Sequence, residues 1–247
     1  IDLEDAVSET NKESAREEVI NFFSYKKNNE VRCFVRINSI KTYYGLKDLI
    51  TFIDKNCFPD GFVLPMVDSA EEIILFDNII NDYRPDIEFF VVIETPKGLS
   101  NIDLILSSSK KIKMVGFGSA DFTSQTGSSL SWNSLLYARS KIINSAGISG
   151  VYAVDGVWPD TTDEVGLIEE TKKIVDMGFK GKMAIHPKQI SGIHEAFVPN
   201  QEDVNFAKEV IEAYDAAKGG VISVRGKMID EPLVVSARRI LSIAGKN

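Results

Sequence analysis

The residues of this chain that are able to do chemistry recur at one kind of place, directly after a short apolar run. Asp2, Glu4 and Asp5 lie in and after Ile1–Leu3; Arg36 and Asn38 end Val-Arg-Cys-Phe-Val-Arg-Ile-Asn; Pro65 follows Phe62–Leu64. Glu94 ends Phe-Phe-Val-Val-Ile-Glu, Asp121 follows Val-Gly-Phe-Gly-Ser-Ala, Asp155 follows Val151–Val154, and His186 follows Lys182–Ile185. Carboxylates crowded around one arginine repel each other, and a divalent cation is the economical remedy. Thr95-Pro96 stops the run before Glu94 from continuing as a regular strand, and the two glycines before Asp121 let the backbone approach a ligand. Two hard carboxylates of this kind suit Mg2+, which completes its shell with water and substrate oxygens. The two histidines, His186 and His194, and the two cysteines form no zinc motif.

Each residue also has a plainer use. A carboxylate at a strand end commonly caps the next helix, and Asp5 and Asp155 taken singly fit that use as well as catalysis. His186, before Pro187, reads as a structural hydrogen-bonding residue, and Arg36 as either an ion-pair partner or a substrate contact. Lys97 follows Pro96 in a loop, where a solvated lysine is more ordinary than a Schiff-base amine. The joint arrangement on consecutive strands, not any one residue, marks a site.

The elements that must position these residues alternate. Strands are predicted at Arg32–Ile37, Phe62–Leu64, Phe89–Ile93, Met114–Phe117, Val151–Val154 and Lys182–Ile185, with Ile1–Leu3 as the tail of an earlier one. Helical periodicity runs over Ser69–Tyr83, where Ser69 and Glu72 suggest a capping box, over Thr161–Met177, and over Gln201–Lys218. This alternation predicts a (β/α)8 TIM barrel, with chemistry at the C-terminal strand ends, whose first strand is missing. A doubly wound sheet would carry a glycine-rich phosphate turn after its first strand, and there is none. The barrel is assigned to residues 1–198 and a C-terminal helical extension and lid to residues 199–247. Gly219-Gly220 and Arg225-Gly226 read as flexible points of that lid, and Pro232 opens its terminal helix.

With 247 residues, 44% hydrophobic and 26% charged, the chain can bury one large core. No apolar run approaches the ~18 residues of a membrane span. With 28 basic against 36 acidic residues, a net charge of −8 repels phosphate backbones, so neither nucleic acid nor membrane is expected as a partner. Cys33 and Cys57 read as buried reduced thiols, and a cytoplasmic setting follows. The chain begins Ile-Asp-Leu-Glu-Asp without an initiator Met, which suggests that something precedes it.

Asp2-Leu3-Glu4-Asp5-Ala6-Val7 with Lys12 and Ala15-Arg16, Val35-Arg36-Ile37-Asn38, Leu64-Pro65, Ile93-Glu94-Thr95, Gly116-Phe117-Gly118 with Asp121, and Gly178-Phe179-Lys180-Gly181-Lys182 with Ile185-His186-Pro187-Lys188-Gln189 occur in this order. Together they resemble the citrate lyase beta subunit branch of the HpcH/HpaI aldolase family, from Ile1 to about Ile243. The resemblance implies a Mg2+-dependent carbon–carbon lyase that cleaves a citryl-, citramalyl- or malyl-type thioester into a keto acid and an acetyl thioester. It implies Glu94 and Asp121 as metal ligands, Glu4 and Asp5 as carboxylates that hold metal-bound water, and Arg36 as the grip on the substrate carbonyl. In Gly226-Lys227-Met228-Ile229-Asp230-Glu231-Pro232 it implies Asp230 as a catalytic residue on a mobile segment, shared between subunits of a homotrimer. The acyl carrier is coenzyme A or an acyl carrier protein. Met66 stands where many relatives have Lys, Thr95-Pro96 replaces a commoner Thr-Ala, and the family's first strand has no counterpart. A malyl-type thioesterase and a non-catalytic carrier-binding subunit are the alternatives.

Overall fold

The computed structural model describes residues 1–25 and 31–245. Its strands are β1 (Phe34–Arg36), β2 (Gly61–Leu64), β3 (Glu88–Ile93), β4 (Ile112–Phe117), β5 (Tyr152–Asp155), β6 (Gly181–Lys182), β7 (Ile222–Val224) and β8 (Lys227–Ile229). Its helices are α1 (Lys12–Tyr25), α2 (Tyr43–Asp54), α3 (Ala70–Asn81), α4 (Pro96–Ser100), α5 (Ile102–Ser107), α6 (Ser119–Thr126), α7 (Trp132–Ser149), α8 (Glu164–Met177), α9 (Gln189–Phe197), α10 (Gln201–Ala216) and α11 (Glu231–Ala244). The chain divides into two compact units, Ile1–Pro159 with Ile174–Ile185, and Asp160–Lys173 with His186–Asn247. Among the described residues no helix is long and apolar enough to cross a membrane.

In the first unit β1 to β6 lie side by side in chain order, and every neighbouring pair is parallel. Strands covered on both faces need apolar residues at successive positions, not alternate ones. Val91, Val92 and Ile93 are accordingly all buried. Register sets the height of the strand ends: Arg36 lies opposite Val63, Leu64 opposite Val91, and Ile93 opposite Phe117. The residues just beyond, Asn38, Pro65, Glu94 and Gly118, therefore share one rim of a partial barrel. Phe52, Phe62, Phe76 and Phe89 stack edge to face at 5.1, 5.6 and 5.4 Å, a row that ties α2 and α3 to β2 and β3.

Several expected boundaries differ, each for a local reason. Ile1–Leu3 forms no strand, only a single parallel bridge from Asp2 to Arg36. The chain leaves the ladder because the Asp2 carboxylate accepts the Glu4 and Ala6 amides at 2.9 and 3.2 Å, closing a turn. The expected seven strands of the sheet are thus six. The sixth stops at Lys182 instead of Ile185. The Ser69–Glu72 capping box does not form, since Ser69 makes no cap bond and Glu72 faces the Asp68 amide at 3.4 Å. α8 begins at Glu164, not Thr161, with Asp163 accepting the Gly166 amide at 2.9 Å. Cys33 and Cys57 are free but half-buried.

Asp155 is neither a helix cap nor a rim ligand. Fully buried, it accepts Arg139 Nε and Nη2 at 2.9 and 3.1 Å and Lys182 Nζ at 2.8 Å. Asp155→Asn takes the anion from between two buried cations and is expected to cost about 3–5 kcal/mol. The midpoint of urea unfolding measures it, and a midpoint within error of the wild type would show that the cluster contributes nothing.

In the second unit β7 and β8 form an antiparallel hairpin. Its core joins Ala207 and Val210 of α10, Val224 and Ile229 of the hairpin, and Val234 and Ala237 of α11. Arg225 and Gly226, expected as a flexible point, make the tight turn, with φ of +51° and +76°. Two successive positive φ values are what a two-residue hairpin turn matching the strand twist requires. The Arg225 guanidinium then clamps the turn onto α10, donating to Glu209 at 2.7 and 2.6 Å and also to Glu202.

Candidate active site

Arg36 ends β1 and is held like a fork. Its Nε and Nη2 donate to the two oxygens of Asp2 at 2.8 and 2.5 Å. Nη1 faces Glu4 at 2.8 Å and Asp5 at 3.6 Å. Burial lowers the pKa of Arg36, but Asp2, Glu4 and Asp5 outweigh it, and the group stays charged. Burial works the other way on Glu4: it pushes the carboxyl up to about 8, helped by Asp5, Glu94 and Asp2 and opposed by Arg36. Glu4 Oε2 is buried and has no hydrogen-bond partner despite its closeness to Arg36. Asp5 is exposed.

Glu94 lies one residue beyond β3 and is 5% exposed. Its Oε2 accepts the Met66 amide at 2.9 Å. Met66 delivers that N–H from a left-handed backbone, φ +54°, an unusual conformation for a side chain of its size. Lys41 anchors the strained turn by donating to the Met66 carbonyl at 2.5 Å and to Asp68 at 2.7 Å. Positive charge thus reaches this part of the rim from Lys41 although position 66 is Met. Burial pushes Glu94 up to about 7, with Met66 and Arg36 opposing and Asp121 and Asp5 adding to the rise.

Asp121 does not follow β4 directly but stands exposed in the first turn of α6. The glycines before it serve neighbours as much as a ligand. A Cβ at Gly116 would lie 2.8 Å from the Phe90 ring, and one at Gly118 would lie 2.2 Å from Glu94 Cγ and 2.7 Å from Glu94 Oε1. Gly118 is therefore the hollow that admits the Glu94 side chain. It is also the N-cap of α6 and offers no side chain to the first amides of that helix.

The remaining candidates have ordinary surroundings. His186 Nδ1 accepts the Lys188 amide at 3.1 Å, as a structural residue would. Lys97 lies in α4, three residues beyond Glu94, and not in a loop. Asp230 belongs to the second unit, where it is the N-cap of α11 and accepts the Leu233 amide at 3.4 Å. The sequence placed Asp2 among the rim carboxylates but not as the residue that grips Arg36, and it singled out no role for Asp48, which is fully buried and accepts Asn38 and Arg16. A polar residue inside the apolar face of α2 was the available signal.

A hard divalent cation fits this donor set. The Asp121 charge adds to the burial that disfavours the ionised form of Glu94, and one oxygen of Glu94 rests in a cradle that a Cβ would fill. Among the described residues no group of three or more His, Cys, Asp or Glu could hold a metal alone. The two carboxylates suit Mg2+, which takes one or two carboxylates and fills its remaining positions with water and substrate oxygens.

The protein-family model for HpcH/HpaI aldolase/citrate lyase matches residues 1–187. The chain belongs to this family. It is 32% identical to the citrate lyase beta subunit of Haemophilus influenzae over 98% of this chain and 87% of that one. It is also 32% identical to the mitochondrial citramalyl-CoA lyase of Rattus norvegicus, over 99% of this chain and 78% of that one. The crystal structure of CitE from Mycobacterium tuberculosis, in complex with magnesium, acetoacetate and coenzyme A, superposes with a TM-score of 0.85 at 27% identity, covering 99% of this chain and 88% of that one. The family match spans Asp2, Glu4, Arg36, Glu94 and Asp121 and ends before Asp230. As a family member the chain is an aldolase or lyase, and its sheet is an incomplete TIM barrel of the citrate lyase beta type.

The raised pKa values make stability depend on pH. Between the ordinary glutamate value near 4.5 and the folded values near 7 and 8, the native state holds protons on Glu94 and Glu4 that the unfolded chain has lost. Stability from these groups is complete below 4.5 and is lost as pH rises through 7 to 8. The metal-free protein is expected to lose melting temperature across that window and to regain it on adding Mg2+ at pH 8. Calorimetric scans at fixed ionic strength test this, and an Mg2+ effect as large at pH 5 as at pH 8 would contradict it.

Proposed function

We propose that this protein is a Mg2+-dependent carbon–carbon lyase that cleaves a 3-hydroxyacyl thioester of the citryl, citramalyl or malyl type into a keto acid and an acetyl thioester. The supporting observation is the pairing of an immobilised, permanently charged Arg36 with the Glu94–Asp121 carboxylates on one rim. Bound at Glu94 and Asp121, Mg2+ supplies a Lewis acid for the oxygens of the acid half. The Gly118 amide donates to the Ile93 carbonyl at 2.9 Å, and the uncapped amides that follow it in the first turn of α6 would receive a substrate carboxylate. The hydroxyl proton leaves toward Glu4 and Asp5, the carboxylates that face Arg36. As the carbon–carbon bond breaks, negative charge collects on the thioester oxygen, and Arg36 meets it with a fixed guanidinium.

Asp230 donates the proton that converts the enolate carbon to the acetyl methyl group. Its bond to the Leu233 amide is long, at 3.4 Å, so little opposes its release. Asp230→Asn is expected to lower kcat about 100-fold while Mg2+ and substrate still bind. We further assign a homotrimer in which residues 199–247 serve a neighbouring site. Mixing the Asp230→Asn and Arg36→Ala variants should then restore part of the activity. Verified mixed oligomers with no recovery would leave Asp230 acting within its own chain, and full activity of Asp230→Asn alone would remove it from the reaction.

Incubation with citryl-, citramalyl- and malyl-CoA and with the corresponding carrier-protein thioesters, with and without Mg2+, tests the reading. A keto acid together with an acetyl thioester is the expected product pair. An intact hydroxy acid with free thiol would replace the lyase by a thioesterase. No turnover of any thioester, together with no Mg2+ binding, would leave a carrier-binding subunit.

A further inference from the structure

Glu4 faces Arg36 from a loop that leaves the β1 ladder at Asp2, and such a loop needs something to hold it. Lys12, at the start of α1, is only 6% exposed. Its ammonium donates to the carbonyls of Leu3 and Glu4 at 2.8 and 2.7 Å and to Asn38 Oδ1 at 2.8 Å. Those carbonyls belong to the two peptide groups on either side of the Glu4 Cα. An ammonium has three donors radiating from one point, and here all three are used, two of them on the backbone that carries Glu4.

The third bond ties the clamp to the strand that carries Arg36. Asn38 stands two positions beyond Arg36, returns its own amide to the Leu3 carbonyl at 2.8 Å and to Asp48 at 2.7 Å, and Asp48 accepts Arg16 at 2.6 Å. Lys12 and Arg16 are four apart, on one face of α1. The acidic loop and the end of β1 thus share one buried set of polar contacts, with Tyr44 beside the ammonium at 5.9 Å. Without it, Glu4 has its burial and the Arg36 charge to orient it, but no hydrogen bond on Oε2.

We propose that Lys12 is a positioning residue for the cleavage reaction, acting through the backbone on both sides of Glu4 to hold that carboxylate against Arg36. The role rests on the lyase reading above. Lys12 touches no reacting atom. Its effect is on geometry, where a misplacement of about 1 Å can cost about 100-fold in rate.

Lys12→Met keeps the apolar stem and removes the donors. It is expected to lower kcat about 100-fold with the thioester KM changed less than about 3-fold, at a temperature where circular dichroism shows it fully folded. Amide exchange supplies a readout independent of turnover: the Leu3, Glu4 and Val7 amides should exchange at least about 10-fold faster in metal-free Lys12→Met. Asp155→Asn, destabilised from β5 and β6, is the comparator and should leave those amides at the wild-type rate. Unchanged exchange in Lys12→Met, or equal acceleration in both variants, would overturn the positioning role whatever the activity. Faster exchange with a wild-type kcat would also overturn it. A wild-type protein that cleaves no thioester would instead count against the lyase reading, and the exchange result would still decide whether Lys12 holds the loop.

Discussion

Glu94→Gln is expected to yield a folded protein that has lost Mg2+-dependent cleavage, with kcat/KM down at least about 1,000-fold. The substitution is nearly isosteric, so it still fits the hollow above Gly118, and the glutamine carbonyl can still accept the Met66 amide that Glu94 receives at 2.9 Å. What disappears is the negative charge. Burial already taxes that charge, pushing the carboxyl to about 7. The folded apo protein should therefore be no less stable at pH 8 after the change, and its melting temperature there is expected to rise. Mg2+ binding by calorimetry should fall together with turnover. The combination of lost activity, lost Mg2+ binding and retained or improved stability separates a metal ligand from a structural partner, because a structural partner would show reduced stability with normal Mg2+ binding. Turnover near the wild-type value at ordinary Mg2+ levels would remove Glu94 from the metal site.

Much of this site was legible in the sequence because parallel strands write their ends plainly. A continuous apolar run followed by a polar residue locates the rim, and Arg36 and Glu94 fall where that pattern places them, whereas Glu4 and Asp5 sit on a turn and follow no strand. The errors have a common origin in side-chain chemistry that overrides local pattern. Asp2 looked like a strand residue, yet its carboxylate captures two amides and bends the chain out of the ladder. Asp155 had the same strand-end signature as Glu94 but is neutralised from the side by Arg139 and from the next strand by Lys182, partners 16 and 27 residues away. Periodicity cannot show such pairings. Arg225-Gly226 carries no hairpin signal as strong as Asn-Gly, and its fixed geometry depends on an arginine tolerating φ +51° while bound to α10.

Arg36→Lys is expected to reduce kcat about 1,000-fold with a smaller change in KM. The reason lies in how Arg36 is mounted. Asp2 occupies Nε and Nη2, so the guanidinium plane is fixed before any substrate arrives, and a substrate oxygen would share the Nη1 edge that faces Glu4 at 2.8 Å. A lysine has one point of charge and cannot be held by Asp2 and reach a developing enolate oxygen with separate, oriented donors. It would pair with Asp2 or Glu4 and leave the enolate less stabilised, even though the formal charge of the site is unchanged. Charge alone therefore predicts near-normal activity, whereas geometry predicts a large loss. Asp2→Asn sharpens the contrast, since it keeps Arg36 and removes the charge and one of the two acceptor oxygens that hold the fork and the Glu4 and Ala6 amides. If fixed orientation matters, Asp2→Asn should lower kcat about 10-fold or more, with substrate binding largely kept. A kcat close to wild type in Arg36→Lys with only a higher KM would reduce Arg36 to an anchor for the substrate carboxylate, and a kcat unaffected by Asp2→Asn would show that the fork needs no mounting.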